Sequence, residues 1–273
     1  MVLYRDRHPC RADTMNELPQ FKSPPVSEVA CTLQLSDALQ IRTIDFATVA
    51  EAFANEYPVI EEHPPLPPIS VGGQFNFQFG APFELPRLWM IDRSGNRLVQ
   101  FQRDRIGVNW RKRADDEEYP RFRGAIRPAL LDAYERLLTV TSALGLEAPT
   151  FDAFDMTYVN PIALEAGQQL SDVIRPWSGE MLDELGEPIH GVNLKVTFAM
   201  PAIDGLMTAD AGIATRVEDG SPIVLLQLTV RGRVDDGTFQ TALECVDTAR
   251  QWIVKGFASM TTESMHEKWG RFS

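Results

Sequence analysis

Apolar and polar residues alternate near the start of the chain, and this period of two predicts a β-strand. Val29, Cys31 and Leu33 share one face of that strand, whereas Glu28 and its neighbours at every second position share the other. We therefore expect the strand to be half-buried. A short helix is predicted next, because apolar residues recur at helical spacing from residue 46 to residue 53.

The remainder of the first half predicts an antiparallel meander that ends in a long helix. The predicted strands contain Phe75, Phe77 and Phe79, then Leu88–Ile91, Leu98–Arg103 and Ile106–Arg111. Gly95 and Asn96 favour a hairpin turn, since both tolerate positive φ. From Arg123 to Leu144 apolar residues keep helical spacing, and Pro128 suits the first turn of that helix.

The second half repeats this order of elements with negligible sequence identity to the first. Its predicted elements are a strand at Phe151–Asn160 closed by Pro161, a short helix at Leu170–Trp177, strands at Val192–Met200, Gly205–Val217 and Ile223–Gly232, and a helix from Phe239 to Met260. The repeated order predicts an α+β fold of two fused pseudo-repeats, residues 15–147 and 148–273. Their curved antiparallel sheet would pack on the long helices in a TATA-binding-protein-like or helix-grip-like arrangement.

Two segments lie outside these repeated elements. Residues 1–14 predict a loose N-terminal extension, with Met15 as an alternative start. The segment from Glu61 to Pro68 has four prolines in five positions, which predicts a stiff extended connector. This connector is either a ligand for a proline-recognising domain or a strap that Leu66 fastens to the core, and we favour the strap.

The charge balance and the motifs exclude several classes of function. With 38 acidic and 26 basic residues the net charge is −12, which opposes a large nucleic-acid surface. The three cysteines lack zinc-site spacing and indicate a reducing, cytoplasmic location, and the apolar runs are too short to span a membrane. The four histidines lack metal-site spacing, and glycine loops for nucleotides are absent. We therefore expect no catalytic constellation, no metal and no cofactor.

The densest basic cluster lies between Arg103 and Arg127, where eight of the 26 basic residues fall. The cluster predicts either a pocket for a phosphate or carboxylate or a solvated face with internal ion pairs. Gly107 in this segment either leaves room above the sheet or marks a bulge. The candidate ligand or partner residues are Glu28, Arg105, Asn109, Trp110, Arg111, Lys112 and Arg123. Trp110 is predicted to face the core, and Asn109 and Arg111 to face away from it.

A series of short motifs extends over nearly the whole chain. The motifs are Pro24–Val29, Tyr57–Pro58, Pro64–Pro68, Asn96–Gln102, Asn109–Lys112, His266 and Trp269–Gly270. As a set they resemble a sporadically distributed, uncharacterised bacterial protein family of about 250 residues, so the resemblance implies a full-length domain but no established activity. The patchy distribution of that family implies carriage on mobile elements, such as defence or toxin–antitoxin loci.

Two functions are compatible with these expectations. The first is a cytoplasmic binding or interaction protein whose Arg105 to Arg123 stripe receives an acidic protein partner or small anion, and which could also form a homodimer. The alternative is a sensor or enzyme for a small anionic ligand, with a pocket between the sheet and the helices near Glu28, Asn109, Trp110 and Arg111. Nucleic-acid binding, suggested by the saddle-like topology, is disfavoured by the charge.

Overall fold

The computed structural model describes residues 18–71, 85–175 and 191–273. In this part of the chain nine strands form one antiparallel sheet. They are β1 (Glu28–Leu35), β2 (Val59–His63), β3 (Arg87–Ile91), β4 (Arg97–Gln102), β5 (Arg105–Arg111), β6 (Phe151–Ala163), β7 (Asn193–Met200), β8 (Gly205–Thr215) and β9 (Pro222–Arg233). The helices are α1 (Phe46–Phe53), α2 (Arg127–Ala143), α3 (Leu170–Val173), α4 (Phe239–Met260) and α5 (Glu263–Lys268).

The strand order is β2-β3-β4-β5-β1-β6-β9-β8-β7, and β1 and β6 lie side by side at the centre. In the first half the last strand of the meander, β5, returns to pair with β1. In the second half β9 pairs with β6 in the same way. The predicted α+β class with an antiparallel sheet is confirmed. One cluster of buried apolar residues extends through both halves.

The two long helices cover one face of the sheet. Helix α2 packs on β5, and α4 packs on β6, β8 and β9. The alternation in β1 directs Val29, Cys31 and Leu33 towards the helices, where each is fully buried. The opposite face, which we call the open face, carries the polar residues of the same strands. Among the described residues no helix is both long and apolar enough to cross a membrane.

The sequence prediction missed the end of one strand, β6, and the whole of another, β2. Strand β6 continues through Pro161 to Ala163. The carbonyl of Val159 accepts a hydrogen bond from the N–H of Ser27, so the backbone polar groups of Val159 face β1. Pro161 lies two residues further along β6, and its backbone nitrogen therefore also faces β1. Because β1 begins only at Glu28, the missing N–H of Pro161 loses no ladder hydrogen bond. Strand β2 was not predicted, since its residues do not alternate and, among the described strands, it pairs with β3 alone.

The proline-rich strap crosses the open face and is held by its main chain. The N–H of Leu66 donates to Oε1 of Gln102 at 2.8 Å, and Nε2 of Gln102 donates back to the carbonyl of Leu66 at 3.0 Å. Oε1 of Gln34 accepts from the N–H of Ile69, and Nε2 of Gln34 donates to Oδ1 of Asp152. Leu66 therefore fastens the strap through its main chain, whereas the residue as a whole is 41% exposed.

Other helix boundaries follow the predictions closely. Helix α2 begins at Arg127, four residues later than predicted, because a π-helical turn occupies Phe122–Ile126. Helix α4 has the predicted bounds. The helix predicted at Leu170–Trp177 is shorter than expected, because α3 ends at Val173 and Ile174 is extended and bridges to Thr261. The predicted extension at residues 1–14 and the predicted strand at Phe75 to Phe79 lie outside the described residues.

Candidate functional site: a polar cluster on the open face

Pairing of β1 with β5 brings three of the predicted site residues together on the open face. Glu28 is opposite Arg111, and Ala30 is opposite Asn109. Directly paired residues in an antiparallel sheet share a face, so the side chains of Glu28, Asn109 and Arg111 lie on the side away from the helices. The prediction that Asn109 and Arg111 face away from the core while Trp110 faces it agrees with this register.

A chain of hydrogen bonds crosses the open face from β3 to β1. Nη1 of Arg87 and Nε1 of Trp89 both donate to Oε1 of Gln100, at 2.7 and 3.1 Å. Nε2 of Gln100 then donates to Oδ1 of Asn109 at 2.7 Å. Nδ2 of Asn109 donates to Oε1 of Glu28, also at 2.7 Å. Every donor in the chain is oriented towards the carboxylate of Glu28, which carries the only formal negative charge in this series.

Arg111 lies beside this chain but does not take part in it. Its Nε and Nη2 atoms are shielded from water and have no hydrogen-bond partner in the described structure. These two nitrogens carry N–H groups that point in the same direction, and that edge of a guanidinium binds carboxylate or phosphate through two parallel hydrogen bonds. An unsatisfied buried donor of a charged group is unfavourable. Among the described residues this edge of Arg111 has the geometry of a two-point donor.

Trp89 holds the cations of the cluster close together. The guanidinium carbon of Arg111 lies 5.1 Å from the centre of the Trp89 ring, and that of Arg87 lies 5.3 Å from it. The ring of His63 stacks on Trp89 with a centroid distance of 4.0 Å, and His63 contacts Glu61 at 3.1 Å. Both guanidinium groups are within the range of a cation–π interaction.

The environment of the cluster disfavours the charged forms of its arginines. Burial lowers the pKa of Arg111, and the nearby positive charge of Arg113 acts in the same direction, whereas the carboxylates of Glu28, Glu61 and Asp92 act in the opposite direction. Burial also lowers the pKa of Arg87, followed by the effect of Arg105. An incoming anion would add a negative charge, which favours the charged form of both arginines.

Arg105, the predicted third arginine of an anion pocket, has an internal role instead. Its side chain pairs with Asp104 at 3.0 Å, and its Nη2 donates to the carbonyls of Leu66 and Pro67. The residue is only 4% exposed. Its hydrogen bonds fasten the strap to β5, so Arg105 is not a candidate ligand residue.

The other predicted site residues lie apart from the cluster. Trp110 is buried on the helix face, with its ring 5.3 Å from that of Tyr119. Lys112 follows the end of β5, where its N–H donates to the carbonyl of Ser27. Arg123 is exposed in the π-helical turn and lines a cavity on the helix side. The alternative prediction of one pocket shared by Trp110 and the open-face residues is therefore wrong.

Gly107 has a local steric explanation. The strand pairing is regular across Gly107, so it marks no bulge. A Cβ placed there would lie 2.6 Å from Oγ1 of Thr32, the residue opposite. The hydroxyl of Thr32 fills the space that the sequence suggested for a ligand.

Arg87, Trp89 and Gln100 belong to the cluster but were not predicted as site residues. Their positions follow from the registers of β3 with β4 and of β4 with β5, in which Trp89 is opposite Gln100 and Gln100 is opposite Gly107. The available signal was the alternation that places Arg87 and Trp89 on one face of a predicted strand.

The described residues contain no group of histidine, cysteine or carboxylate side chains placed to hold a metal ion. No protein-family model and no curated protein matches this chain.

Proposed function

We propose that this protein binds a small anionic molecule on the open face of its sheet, with Arg111 as the principal ligand residue. The observation that carries the proposal is the pair of buried nitrogens on the Arg111 guanidinium, for which no described residue supplies an acceptor. A carboxylate or phosphate that accepts from both would replace an unsatisfied charged donor by two charge-assisted hydrogen bonds. Binding requires Arg111 to turn this edge towards the ligand, since both nitrogens are shielded from water.

Glu28 indicates what else the ligand contains. It is opposite Arg111 in the strand pairing, so the site presents a cation and an anion on neighbouring strands. In a ligand with a hydroxyl or ammonium group beside its carboxylate, the carboxylate would accept from Arg111 and the hydroxyl or ammonium group would donate to Glu28. Asn109 holds Glu28 in place through its 2.7 Å bond, and Gln100 holds Asn109 in turn.

A protein partner recognised by the whole Arg105 to Arg123 stripe has less support. Arg105 is bonded to the strap, and Arg121 donates to the carbonyls of Phe21 and Lys22. Arg111 and Arg123 are on opposite sides of the sheet. An acidic surface would therefore meet few free cations at once.

The order of strands supports an origin of the two halves by duplication. Each half begins with a central strand and ends with a meander strand that returns to it.

The cytoplasm is the compartment we propose for this protein. Cys31 is a buried thiol, and burial raises its pKa well above the usual value.

The experiment is a thermal unfolding series with phosphate, succinate, malate and glutamate added to dialysed protein. A ligand at a hundred times its Kd adds about 2.7 kcal/mol to the free energy of unfolding, which raises the Tm by about 5–10 °C for a chain of this size. We expect malate or glutamate to exceed succinate, because only they carry a donor for Glu28.

Two variants separate the site from general charge effects. Arg111→Met should remove the stabilisation by each anion. Lys112→Met removes the same charge from the adjacent residue, and this variant should still be stabilised by the anions. Equal loss in both variants, or no stabilisation of the wild-type protein by any of the four anions, would contradict the proposal.

A further inference from the structure

A cavity of about 380 Å³ lies on the helix side of the sheet, on the opposite side from the polar cluster. Strands β6 and β9 contribute Tyr158, Asn160 and Leu228 to its lining, and α4 contributes Ile253 and Phe257. The volume is within the range of roughly 300–1,000 Å³ found for pockets that hold small organic ligands. Most of the lining is apolar, so the space suits a hydrocarbon or aromatic group.

The two ends of the described chain close one side of this cavity. Phe21 and Phe272 are both part of the lining. The N–H groups of Lys22 and Ser23 donate to the carbonyls of Gly270 and Trp269, at 3.2 and 3.1 Å. Nη2 of Arg121 donates to the carbonyl of Phe21 at 2.7 Å, which holds the N-terminal segment against the cavity.

A pair of tyrosine hydroxyls lies in the cavity wall. The oxygens of Tyr119 and Tyr158 are 3.0 Å apart. Only one of the two hydroxyl protons is used in this bond, and the other has no acceptor among the described residues. Burial raises the pKa of Tyr119 to about 12, so both hydroxyls remain protonated at neutral pH and one can donate to a ligand.

Arg250 supplies a positive charge next to these hydroxyls. It lines the cavity, and its guanidinium carbon lies 5.9 Å from the centre of the Phe122 ring. In the described part of the chain no carboxylate forms an ion pair with it. Its charge acts on both phenols and favours their ionised forms against the effect of burial. The cavity also has Arg121 and Arg123 in its lining, but Arg121 is bonded to the carbonyl of Phe21 and Arg123 is exposed. The cavity therefore combines an apolar interior with a cation beside the phenols, Arg250, and a neutral donor.

We propose that this cavity binds a carboxylic acid with an apolar chain. The chain occupies the apolar space beside Ile253 and Phe257, and the carboxylate accepts from Arg250 and from the available tyrosine hydroxyl. The site is independent of the anion site at Arg111, because the sheet separates them.

The test is calorimetric titration of the whole protein with hexanoate, octanoate, decanoate and decanol. Affinity should increase about fourfold with each added methylene until the cavity is full. Decanoate should bind at least tenfold more tightly than decanol, since only the acid carries a charge for Arg250. Equal affinity of the acid and the alcohol, or no saturable binding of any acid, would overturn the proposal.

Four variants assign the binding to this cavity. Arg250→Gln should weaken decanoate at least tenfold and leave decanol unchanged, whereas Arg127→Gln removes a charge from outside the cavity and should change neither. Val254→Trp fills the cavity from a half-buried position and should weaken both ligands at least tenfold without lowering the Tm by more than a few degrees. Arg111→Met should leave decanoate binding unchanged. Retention of decanoate binding in Val254→Trp would place the ligand elsewhere and refute the assignment.

Discussion

Arg105 and Arg111 lie on the same face of β5, but the hydrogen bonding of their guanidinium groups differs. Arg105 is bonded to Asp104 and to two strap carbonyls. Arg111 has two buried nitrogens without partners in the described structure. A residue that serves stability has its donors satisfied, whereas a residue kept for binding is retained at a cost to stability. The two arginines therefore make a matched pair for separating the two roles.

Methionine at each position tests this difference by urea denaturation. Arg105→Met should lower the free energy of unfolding by about 2–4 kcal/mol, because it leaves Asp104 and the carbonyl of Pro67 without this donor, whereas the carbonyl of Leu66 keeps its bond from Gln102. Arg111→Met should leave it unchanged or raise it by about 1–2 kcal/mol, since an unsatisfied cation is removed. A loss in Arg111→Met as large as that in Arg105→Met would show that Arg111 has a structural role.

His266 is a second residue whose state depends on its partners. Oγ1 of Thr261 donates to the carbonyl of Phe257, so it accepts from Nε2 of His266 at 2.8 Å. Nδ1 lies 3.1 Å both from Nη1 of Arg271, which can only donate, and from Oε2 of Glu263, which can only accept. The contact with Arg271 requires a neutral imidazole, and the contact with Glu263 requires a protonated one. Burial lowers the pKa of His266, although Glu263 acts in the opposite direction.

The lowered pKa of His266 predicts how stability depends on pH. The unfolded chain binds the proton more tightly than the folded protein, so stability is complete above the unfolded pKa of about 6.5 and falls as the pH falls below that value. Urea denaturation between pH 5 and pH 8 should show this loss, and His266→Gln should show less of it. An equal slope for both proteins would contradict the assignment.

At the scale of single elements, the close approach of β1 and β5 depends on Gly107. A methyl group there would lie 2.6 Å from Oγ1 of Thr32. Gly107→Ala should therefore lower the free energy of unfolding by about 1–3 kcal/mol. In the Thr32→Ala background the same change should cost less than half as much, because the hydroxyl is gone. Additive effects in the double variant would exclude this contact as the cause.

Elements with a strict period could be predicted from the sequence, whereas those shaped by tertiary context could not. The alternation in β1 and the helical spacing in α4 were sufficient to identify both. Strand β2 has no such pattern, because it is an edge strand whose side chains are mostly exposed. The extension of β6 through Pro161 depends on where the neighbouring strand begins, and periodicity does not contain that information.

The site was predictable only within one strand pair. Alternation along β1 and β5 placed Glu28, Asn109 and Arg111 on one face. Arg87, Trp89 and Gln100 required the registers of two further strand pairs. Arg105 binds carbonyl groups of the strap and not a ligand. That role depends on the path of the strap across the sheet, which no local sequence pattern specifies.

At the scale of the whole molecule, the pairing of β1 with β6 joins the two halves in one sheet over one core. We therefore expect a single cooperative unfolding transition. Far-ultraviolet circular dichroism reports on both halves together. Tryptophan fluorescence can be restricted to the first half by replacing Trp177, Trp252 and Trp269 with phenylalanine. Coincident midpoints are expected by both measurements in that variant, and two separated transitions would show that the halves unfold independently.

Anion binding by Arg111, through the edge that has no partner among the described residues, can be measured directly. The most direct measurement is a nitrogen-15 NMR titration of the arginine Nε–H resonances with phosphate and malate, with each signal assigned by its loss in the methionine variant. We expect the chemical shift of the Arg111 signal to change saturably with added anion, while that of the Arg105 signal stays constant. An Arg111 signal that does not move with either anion, or that moves only together with the Arg105 signal, would contradict the account.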